Sequence, residues 1–274
     1  SFGNGSSGVV YNAGSIVSHA LVTADGGANA HRSLASAWGA SVGAYSYMES
    51  GNVINAGDIE AAAAADFGYA TAFGSYVLSQ FDSSTSNTGS IRSAATADHG
   101  DALAVGSYAF ALHQQYHVDC NDQGYCDYST ATHIPDDGKA SLDNAGGITA
   151  VATAHGGTGH AYGASILGAF GTAVTNSGQI SASVDADEAH AVGALANSFY
   201  GYATVQNSDS IAAFATGTVA SASGVFVAGA AGSAGNGYLA AAVDNQGNIV
   251  ARATGHTATA IGIESVGWKD GGIR

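Results

Sequence analysis

Hydrophobic and polar residues alternate along several short stretches of the chain. In residues 148–155, isoleucine or alanine fills every second position, and threonine, valine and histidine stand between them. Residues 180–187 repeat the arrangement, with isoleucine, alanine or valine on one side and serine or aspartate on the other. Because successive side chains of a strand point to opposite faces, this period of two predicts β-strands rather than helices.

An internal repeat opens each of these stretches. The motif Asn-x-Gly-x-Ile occurs six times, and a seventh copy carries aspartate in the glycine position. The spacings between successive asparagines are 43, 32, 57, 32, 31 and 38 residues, so the underlying unit is about 32 residues long. We expect these asparagines to occupy turns and to stack as a ladder of amides. They are Asn12, Asn55, Asn87, Asn144, Asn176, Asn207 and Asn245.

A second motif follows the first within most copies. It reads Ala-x-Ala-Φ-Gly, where Φ is a large apolar residue, and it stands at 35–39, 70–74, 102–106, 189–193 and 258–262, with a looser form at 159–163. Each unit therefore holds at least two strands and has room for a third. The alanine run Ala61–Ala65 has helical propensity, but its alignment with the other copies predicts a strand.

These repeats decide the predicted fold, because a multi-stranded unit that buries no core alone must stack on its neighbours. The sequence predicts an all-β protein, a β-solenoid (β-helix) of about seven to eight coils with one repeat of ~32 residues per coil. It forms a single domain over residues 1–274, interrupted by an inserted loop at 112–140. Inward-facing alanine and glycine predict a flattened coil, whose sheets lie closer than the usual ~10 Å.

The repeat unit resembles the Ala/Gly-rich passenger repeats of bacterial autotransporter and filamentous-haemagglutinin-like surface proteins. The resemblance covers nearly the whole chain from Asn12 to Gly262. The Ala-x-Ala-Φ-Gly element is also similar to the head repeats of trimeric autotransporter adhesins, whose units are much shorter. The resemblance implies a secreted, non-catalytic surface protein, either a passenger fragment or a self-assembling filament subunit.

Composition and charge narrow the classes of function. The chain has 40 glycines without a period of three and one proline among 274 residues, which excludes collagen. Its formal net charge of −15 repels phosphate backbones and anionic lipid, so no nucleic-acid partner is expected. No apolar run reaches the ~18 residues of a membrane span, so no membrane insertion is expected. Because the chain begins at Ser1 rather than at a methionine, we expect a processed protein, secreted or at the cell surface.

The two ends of such a stack expose unpaired strand edges, through which copies of the chain could assemble. An exposed strand edge pairs with another chain unless charge or proline protects it, and residues 1–11 carry neither. We expect strands near the two termini to pair between successive copies, giving a head-to-tail homopolymer; the alternative is that each terminus folds back over its own edge. The residues expected at this contact are Val9, Val10, Tyr11, Ile261, Ile263 and Trp268.

The inserted loop at 112–140 breaks the pattern and contains both cysteines. Cys120 and Cys126 are predicted to form a disulfide that pins the loop outside the cell. A metal site is the alternative, because two histidines four apart suit zinc or copper on a helix and a pattern like the first half of a calcium loop follows them. The candidate ligands are His113, His117, Asp119 and Asp122. No other cofactor is expected.

The sequence therefore predicts a non-catalytic structural or adhesive protein that joins to itself and contacts surface glycans or other cells. One alternative is a polysaccharide-binding or polysaccharide-degrading β-helix, which needs clustered carboxylates beside a basic group. Lys139 near Asp136 and Asp137 is the closest approach to such a cluster. The other alternative is an ice-binding solenoid, suggested by threonines five positions after the isoleucine in four copies: Thr96, Thr153, Thr216 and Thr254.

Overall fold

The structure of the protein is a computed structural model that describes residues 7–23, 33–44, 50–111, 116–120, 126–130, 138–231 and 240–269. These residues form β-strands joined by short turns, and none of them lies in a helix. The all-β class predicted from the sequence is confirmed. The part of the chain that the structure describes accordingly has no helix with the length and apolarity of a membrane span.

The strands are numbered in chain order. They are β1 Gly8–Asn12, β2 Ser15–Val22, β3 Leu34–Ala44, β4 Gly51–Asn55, β5 Asp58–Ser79, β6 Ser83–Asn87, β7 Ser90–Ala111, β8 Tyr116–Cys120, β9 Cys126–Thr130, β10 Lys139–Asn144, β11 Gly147–Gly168, β12 Gly171–Asn176, β13 Gln179–Ser198, β14 Tyr202–Asn207, β15 Ser210–Thr216, β16 Val219–Ala231, β17 Ala241–Asn245, β18 Asn248–Thr254 and β19 Thr257–Lys269.

The short strands form one parallel sheet in the order β1-β4-β6-β10-β12-β14-β17. Each of these strands ends at one of the seven repeat asparagines, and the pairing sets each asparagine beside the next. The long strands form the second parallel sheet in the order β18-β15-β13-β11-β7-β5-β2, with β3 beside β5, and β16 between β13 and β19. Here too the motif isoleucines pair in register, from Ile16 to Ile249. The long parallel sheets make the fold solenoid-like, as predicted.

Each long strand bends near its middle, so that its two legs face each other. In β5 the bend lies at Gly68, whose φ of 94° favours glycine because a side chain would be strained there. Alanines of the first leg, such as Ala63, then pack against alanines of the second, such as Ala72. Because an alanine side chain fills little space, this contact requires the two legs to lie close together. The run Ala61–Ala65 is part of β5, so its predicted strand is confirmed.

The core therefore has two parts. One consists almost wholly of alanine and lies between the two legs of the long strands. The other lies where the short strands close the unit, and it contains larger side chains such as Val53, Ile59 and Val77. Each alanine removes little apolar surface from water, so the backbone hydrogen bonds and close packing of the parallel sheets must supply much of the stability.

The chain leaves the two parallel sheets after Ala111 and returns at Lys139. Within this interval β8 and β9 pair as an antiparallel, two-stranded sheet of their own. The zinc or copper hypothesis assumed a helix, and at His117 that assumption is wrong, because Tyr116–Cys120 is a strand. His113 lies outside the described residues, so the metal site stays a prediction. The division into one domain with an inserted loop stays a prediction.

Candidate assembly interface

The seven repeat asparagines form a continuous ladder of side-chain amides. Nδ2 of each of the first six donates a hydrogen bond of 2.7–2.8 Å to Oδ1 of the asparagine on the next strand. The same Nδ2 of the internal asparagines reaches two backbone carbonyls, one in its own turn and one in the next. For Asn144 these are Gly146 O at 3.2 Å and Gln179 O at 3.3 Å. The internal asparagines are almost completely buried, so these bonds replace the water that the amides lose.

The ladder has a direction, and its two ends differ. At the first end, Oδ1 of Asn12 accepts a hydrogen bond from the backbone N–H of Gly14 at 3.1 Å, and no described asparagine donates to it. At the other end, Nδ2 of Asn245 donates to Gly247 O at 3.0 Å and to no other described residue. One end of the stack thus presents an amide acceptor, and the opposite end presents an amide donor.

The motif glycines form a first column of very close contacts. A Cβ added to Gly89 would overlap the carbonyl oxygen of Gly57, and one added to Gly57 would overlap that of Gly14. Gly146, Gly178 and Gly247 meet the same obstacle, a backbone oxygen in the corresponding turn of the preceding repeat. Glycine is required here because a backbone oxygen, unlike a flexible side chain, cannot move aside without breaking the sheet.

The glycines that close the Ala-x-Ala-Φ-Gly motif form a second column. A Cβ on Gly106 would come within 2.5 Å of the carbonyl oxygen of Gly163, and it would also overlap Cγ2 of Ile148. The same pair of obstacles, a glycine carbonyl and an isoleucine methyl on the following strand, recurs at Gly39, Gly74, Gly163, Gly193 and Gly224. A Cβ on a glycine of the first column would meet the preceding repeat, whereas a Cβ on a glycine of the second column would meet the following repeat.

The terminal member of each column has open space where the others have a neighbour. A Cβ built on Gly14, at the start of the first column, meets no atom within 4 Å, and the same is true of Gly262 at the end of the second. Neither residue has the positive φ that would itself favour glycine. Nothing in the described part of the chain therefore explains why these two positions are glycine.

The residues predicted to mediate assembly lie at the two ends of the stack. Three are in β1, an edge strand of the seven-stranded sheet: Val9, Val10 and Tyr11. Three are in β19, which pairs with β16 alone among the described strands: Ile261, Ile263 and Trp268. The side chain of Trp268 is outside the described residues. Because β1 and β19 belong to different sheets, a continued stack would pair β1 with β17 and β3 with β19, rather than β1 with β19.

The edge at the amino-terminal end carries almost no charge. Strands β1, β2 and β3 contain no lysine, arginine, aspartate or glutamate, and His19 is their only histidine. They expose large apolar side chains, among which Tyr11 is 67 % exposed and Leu21 is 71 % exposed. Natural proteins usually protect sheet edges with charge or proline. In a chain of net charge −15, the described edge strands lack that protection.

A cluster of aromatic side chains covers part of the outer face of the long strands, and the sequence analysis did not find it. We call Trp38, Phe73, Tyr76 and Tyr108 the aromatic face. Trp38 and Phe73 stack at a centroid distance of 4.9 Å, and Tyr76 and Tyr108 stack at 5.1 Å. Burial, followed by the neighbouring Tyr76, raises the pKa of Tyr108 to about 12. The sequence does contain one indication of this cluster, because Tyr76 and Tyr108 each follow a motif glycine by two residues and so occupy equal positions in successive repeats.

Two histidines stack on the same outer face, and they give the fold a dependence on pH. The rings of His160 and His190 lie 5.0 Å apart, near Asp101 and Glu188. Burial and then His190 lower the pKa of His160, and the two carboxylates only partly oppose this. The unfolded chain therefore binds a proton at His160 more readily than the folded chain does, so stability falls as the pH drops below about 6.5.

We expect the melting temperature to decrease when the pH is lowered from about 7.5 to about 5. The decrease should be smaller in the variant His160→Gln, which has no imidazole to protonate at this position. Circular dichroism melts at each pH measure this difference. The matched control is His155→Gln, because His155 lies on the same strand, β11, with an exposed side chain. A variant His160→Gln whose pH dependence equals that of the wild type would contradict the assignment.

A shallow groove lies on the outer face of the seven-stranded sheet. Most of the residues that line it are polar, Ser84 and Ser141 among them, and Tyr202 also lines it. Oδ1 of Asp82 accepts a hydrogen bond from the backbone N–H of Lys139 at 3.0 Å. Asp82 is the only carboxylate among the described residues that line this groove, so the pair of carboxylates that glycoside hydrolysis needs is not found there.

Most of the candidate disulfide and metal residues carry no described side chain. His113 and Asp122 lie outside the described residues, as do Asp136 and Asp137. For the other four, His117, Asp119, Cys120 and Cys126, the structure describes the strand backbone alone. The described residues contain no group of three or more histidine, cysteine, aspartate or glutamate side chains that could hold a metal ion.

The exposed strand edges, the buried amide ladder and the two columns of glycine contacts are all features that a second copy of the chain could continue. Comparison of the chain with protein-family models, with curated proteins and with solved structures found no match.

Proposed function

We propose that this protein is a non-catalytic, extracellular structural or adhesive β-solenoid whose copies join head to tail in a surface filament. We take each coil to comprise one repeat of ~32 residues and the stack to contain seven coils, because each of the seven strands of the first sheet ends at a repeat asparagine. At a strand spacing of ~4.8 Å, seven coils would rise roughly 34 Å.

The observation that carries this proposal is the complementarity of the two ends. The amino-terminal end presents an amide acceptor at Asn12, and the carboxy-terminal end presents an amide donor at Asn245. The core is also incompletely covered at both ends, where Ile16 and Ile249 are only partly buried. A second copy that continues the stack would satisfy the amides and cover the core at the same time.

The hairpin of β8 and β9 supports an extracellular location. The pairing sets Cys120 directly opposite Cys126. Opposed residues of an antiparallel pair have Cα atoms about 4.5–5.5 Å apart, which is within the range that a disulfide spans. We propose that the two cysteines form this bond and that the protein is exported, because disulfides persist in oxidising compartments. The likeness of the repeats to autotransporter and filamentous-haemagglutinin-like surface proteins points the same way.

The two alternative functions have less support. The polar groove could bind a polysaccharide of the cell surface, and this would fit the proposed adhesive role, but the groove offers no pair of described carboxylates for cleavage. For ice binding, Thr96 pairs with Thr153, and Thr216 pairs with Thr254. However, Asp185 stands between the two pairs in the same column, so the threonine array is interrupted.

Electron microscopy of the purified chain tests the proposal. We expect unbranched filaments above a critical concentration, with an axial repeat of roughly 34 Å per subunit. Added salt should lower that concentration, because it screens repulsion between subunits of net charge −15. Light scattering over a dilution series measures the critical concentration. A chain that stays monomeric in sizing columns at every concentration and salt level would refute the proposed function.

A further inference from the structure

We propose that successive copies join in one defined register, in which the last repeat of one copy continues onto the first repeat of the next as though both belonged to one chain. In this register β17 pairs with β1 of the next copy, β18 with β2, and β19 with β3. The inference rests on the proposed function, and it adds the polarity of the contact and the residues that determine it.

The asparagine ladder fixes the register of the first sheet. Inside the stack, each Nδ2 donates to Oδ1 of the next asparagine and to the backbone oxygen three residues after that asparagine. For Asn207 these acceptors are Oδ1 of Asn245 at 2.7 Å and the oxygen of Asn248 at 3.4 Å. Asn245 has neither acceptor among the described residues. Oδ1 of Asn12 and the backbone oxygen of Ser15 would supply both if a second copy followed in register.

The terminal glycines are an independent argument for the same contact. In the proposed register, the space beside Gly14 is filled by the backbone of Gly247 of the preceding copy, just as Gly14 itself fills the space beside Gly57. The space beside Gly262 is filled by Gly39 and Ile16 of the following copy, in the way that Gly262 and Ile249 fill the space beside Gly224. Gly14 and Gly262, the terminal members of the two columns, would thus both be required by a single joint between copies.

The side chains that meet in this register are compatible. On the core side, Val243 would lie on Val10 and Ile249 on Ile16. On the outer side, Ile261, which is 37 % exposed, would lie on Trp38, which is 40 % exposed. The amino-terminal face contributes no lysine, arginine, aspartate or glutamate from its described strands, so no two like charges of these residues oppose each other there.

Two alanine substitutions test the joint from its two sides. Gly14→Ala adds a methyl group that has open space in the single chain but would overlap the backbone of a preceding copy. Gly262→Ala does the same toward a following copy. The matched control is Gly147→Ala, because a Cβ on Gly147 also meets nothing within 4 Å, yet this residue lies in the middle of the stack.

We expect all three variants to melt at the wild-type temperature or slightly above it when dilute. Gly14→Ala and Gly262→Ala should raise the critical concentration for filaments at least about tenfold, which corresponds to about 1.4 kcal/mol of contact energy. Gly147→Ala should leave it unchanged. Light scattering and electron microscopy measure the critical concentration, and circular dichroism measures the melting temperature.

A mixture of the two blocked variants gives the sharpest result. Gly14→Ala retains an intact carboxy-terminal end and Gly262→Ala an intact amino-terminal end, so equal amounts should form a dimer of one copy of each and no filament. Sedimentation velocity detects that dimer.

Three outcomes would overturn the register. If the wild type forms filaments and Gly14→Ala and Gly262→Ala form them at the same critical concentration, the proposed joint is refuted, while the filament proposal remains intact. A mixture that stays monomeric would refute the polarity. A lower melting temperature of dilute Gly14→Ala or Gly262→Ala would show that another segment of the same chain already covers that face. An absence of filaments in the wild type counts instead against the proposed function itself.

Discussion

Replacing Gly89 with alanine is expected to destabilise the fold by about 3 kcal/mol or more. The added Cβ would overlap the carbonyl oxygen of Gly57 in the corresponding turn of the preceding repeat. Relief of that overlap requires the two strands to separate, which weakens the backbone hydrogen bond from Ser90 N to Gly57 O, now 2.9 Å long. Urea unfolding of the dilute chain, followed by circular dichroism, measures the loss as a lower midpoint.

The control for this prediction is again Gly147→Ala. Gly147 lies one residue beyond the glycine of its own motif, at the start of β11, and nothing stands within 4 Å of its Cβ position. Alanine restricts the unfolded chain more than glycine does, so this variant should be equal to the wild type or more stable by up to about 1 kcal/mol. Equal losses in the two variants would mean that the glycine column is not under steric constraint.

Replacing Asn144 with alanine is expected to lower the free energy of unfolding by about 3 kcal/mol. The substitution leaves Oδ1 of Asn176 without its described donor, in the buried middle of the stack. It also removes the 2.8 Å acceptor of Nδ2 of Asn87, which keeps only two longer contacts, of 3.3 Å, to the backbone oxygens of Gly89 and Gly147. Buried polar groups without partners lose their hydration and gain nothing in return. The measurement is the free energy of unfolding in urea, compared between the variant and the wild type under conditions in which both are monomeric.

The same substitution at the end of the ladder gives the comparison. Asn245 is exposed, and its Nδ2 makes one described hydrogen bond, to Gly247 O. Asn245→Ala should therefore cost only about 0.5–1.5 kcal/mol in the monomer. If Asn245→Ala lost as much stability as Asn144→Ala, the loss could not be assigned to the burial and the ladder bonds of Asn144. The proposed continuation of the ladder between copies would then lose its main support.

The repeats made much of the fold predictable from the sequence. The column of Asn12, Asn55 and the later asparagines follows directly from the motif, since residues at equal positions in stacked units must become neighbours. The run Ala61–Ala65 shows why the repeat matters more than local propensity: five alanines favour a helix when taken alone. Pairing of this run with its counterpart in β7 and with Ser18–Val22 in β2 makes it a strand instead.

Other features depended on geometry that one sequence does not contain. The aromatic face brings Trp38 beside Tyr76, with their ring centroids 4.6 Å apart, although 38 residues separate them and they occupy different positions of the repeat. The bend at Gly68 could not be distinguished from a turn between two separate strands. The different roles of Gly14 and Gly57 were also hidden, because both occupy the same motif position and only the three-dimensional stack shows which one lacks a neighbour.

The excursion between Ala111 and Lys139 has a consequence for how such a chain can change in length. Strands β7 and β11 pair in register although the segment between them is far longer than an ordinary turn. The pairing of the stack therefore does not depend on the length of the segment inserted there. The entropy of closing a loop grows only with the logarithm of its length, so a longer or different segment at this corner adds little cost. Foreign peptides could be grafted at this one corner, whereas a single residue added inside β7 would shift every later side chain to the opposite face.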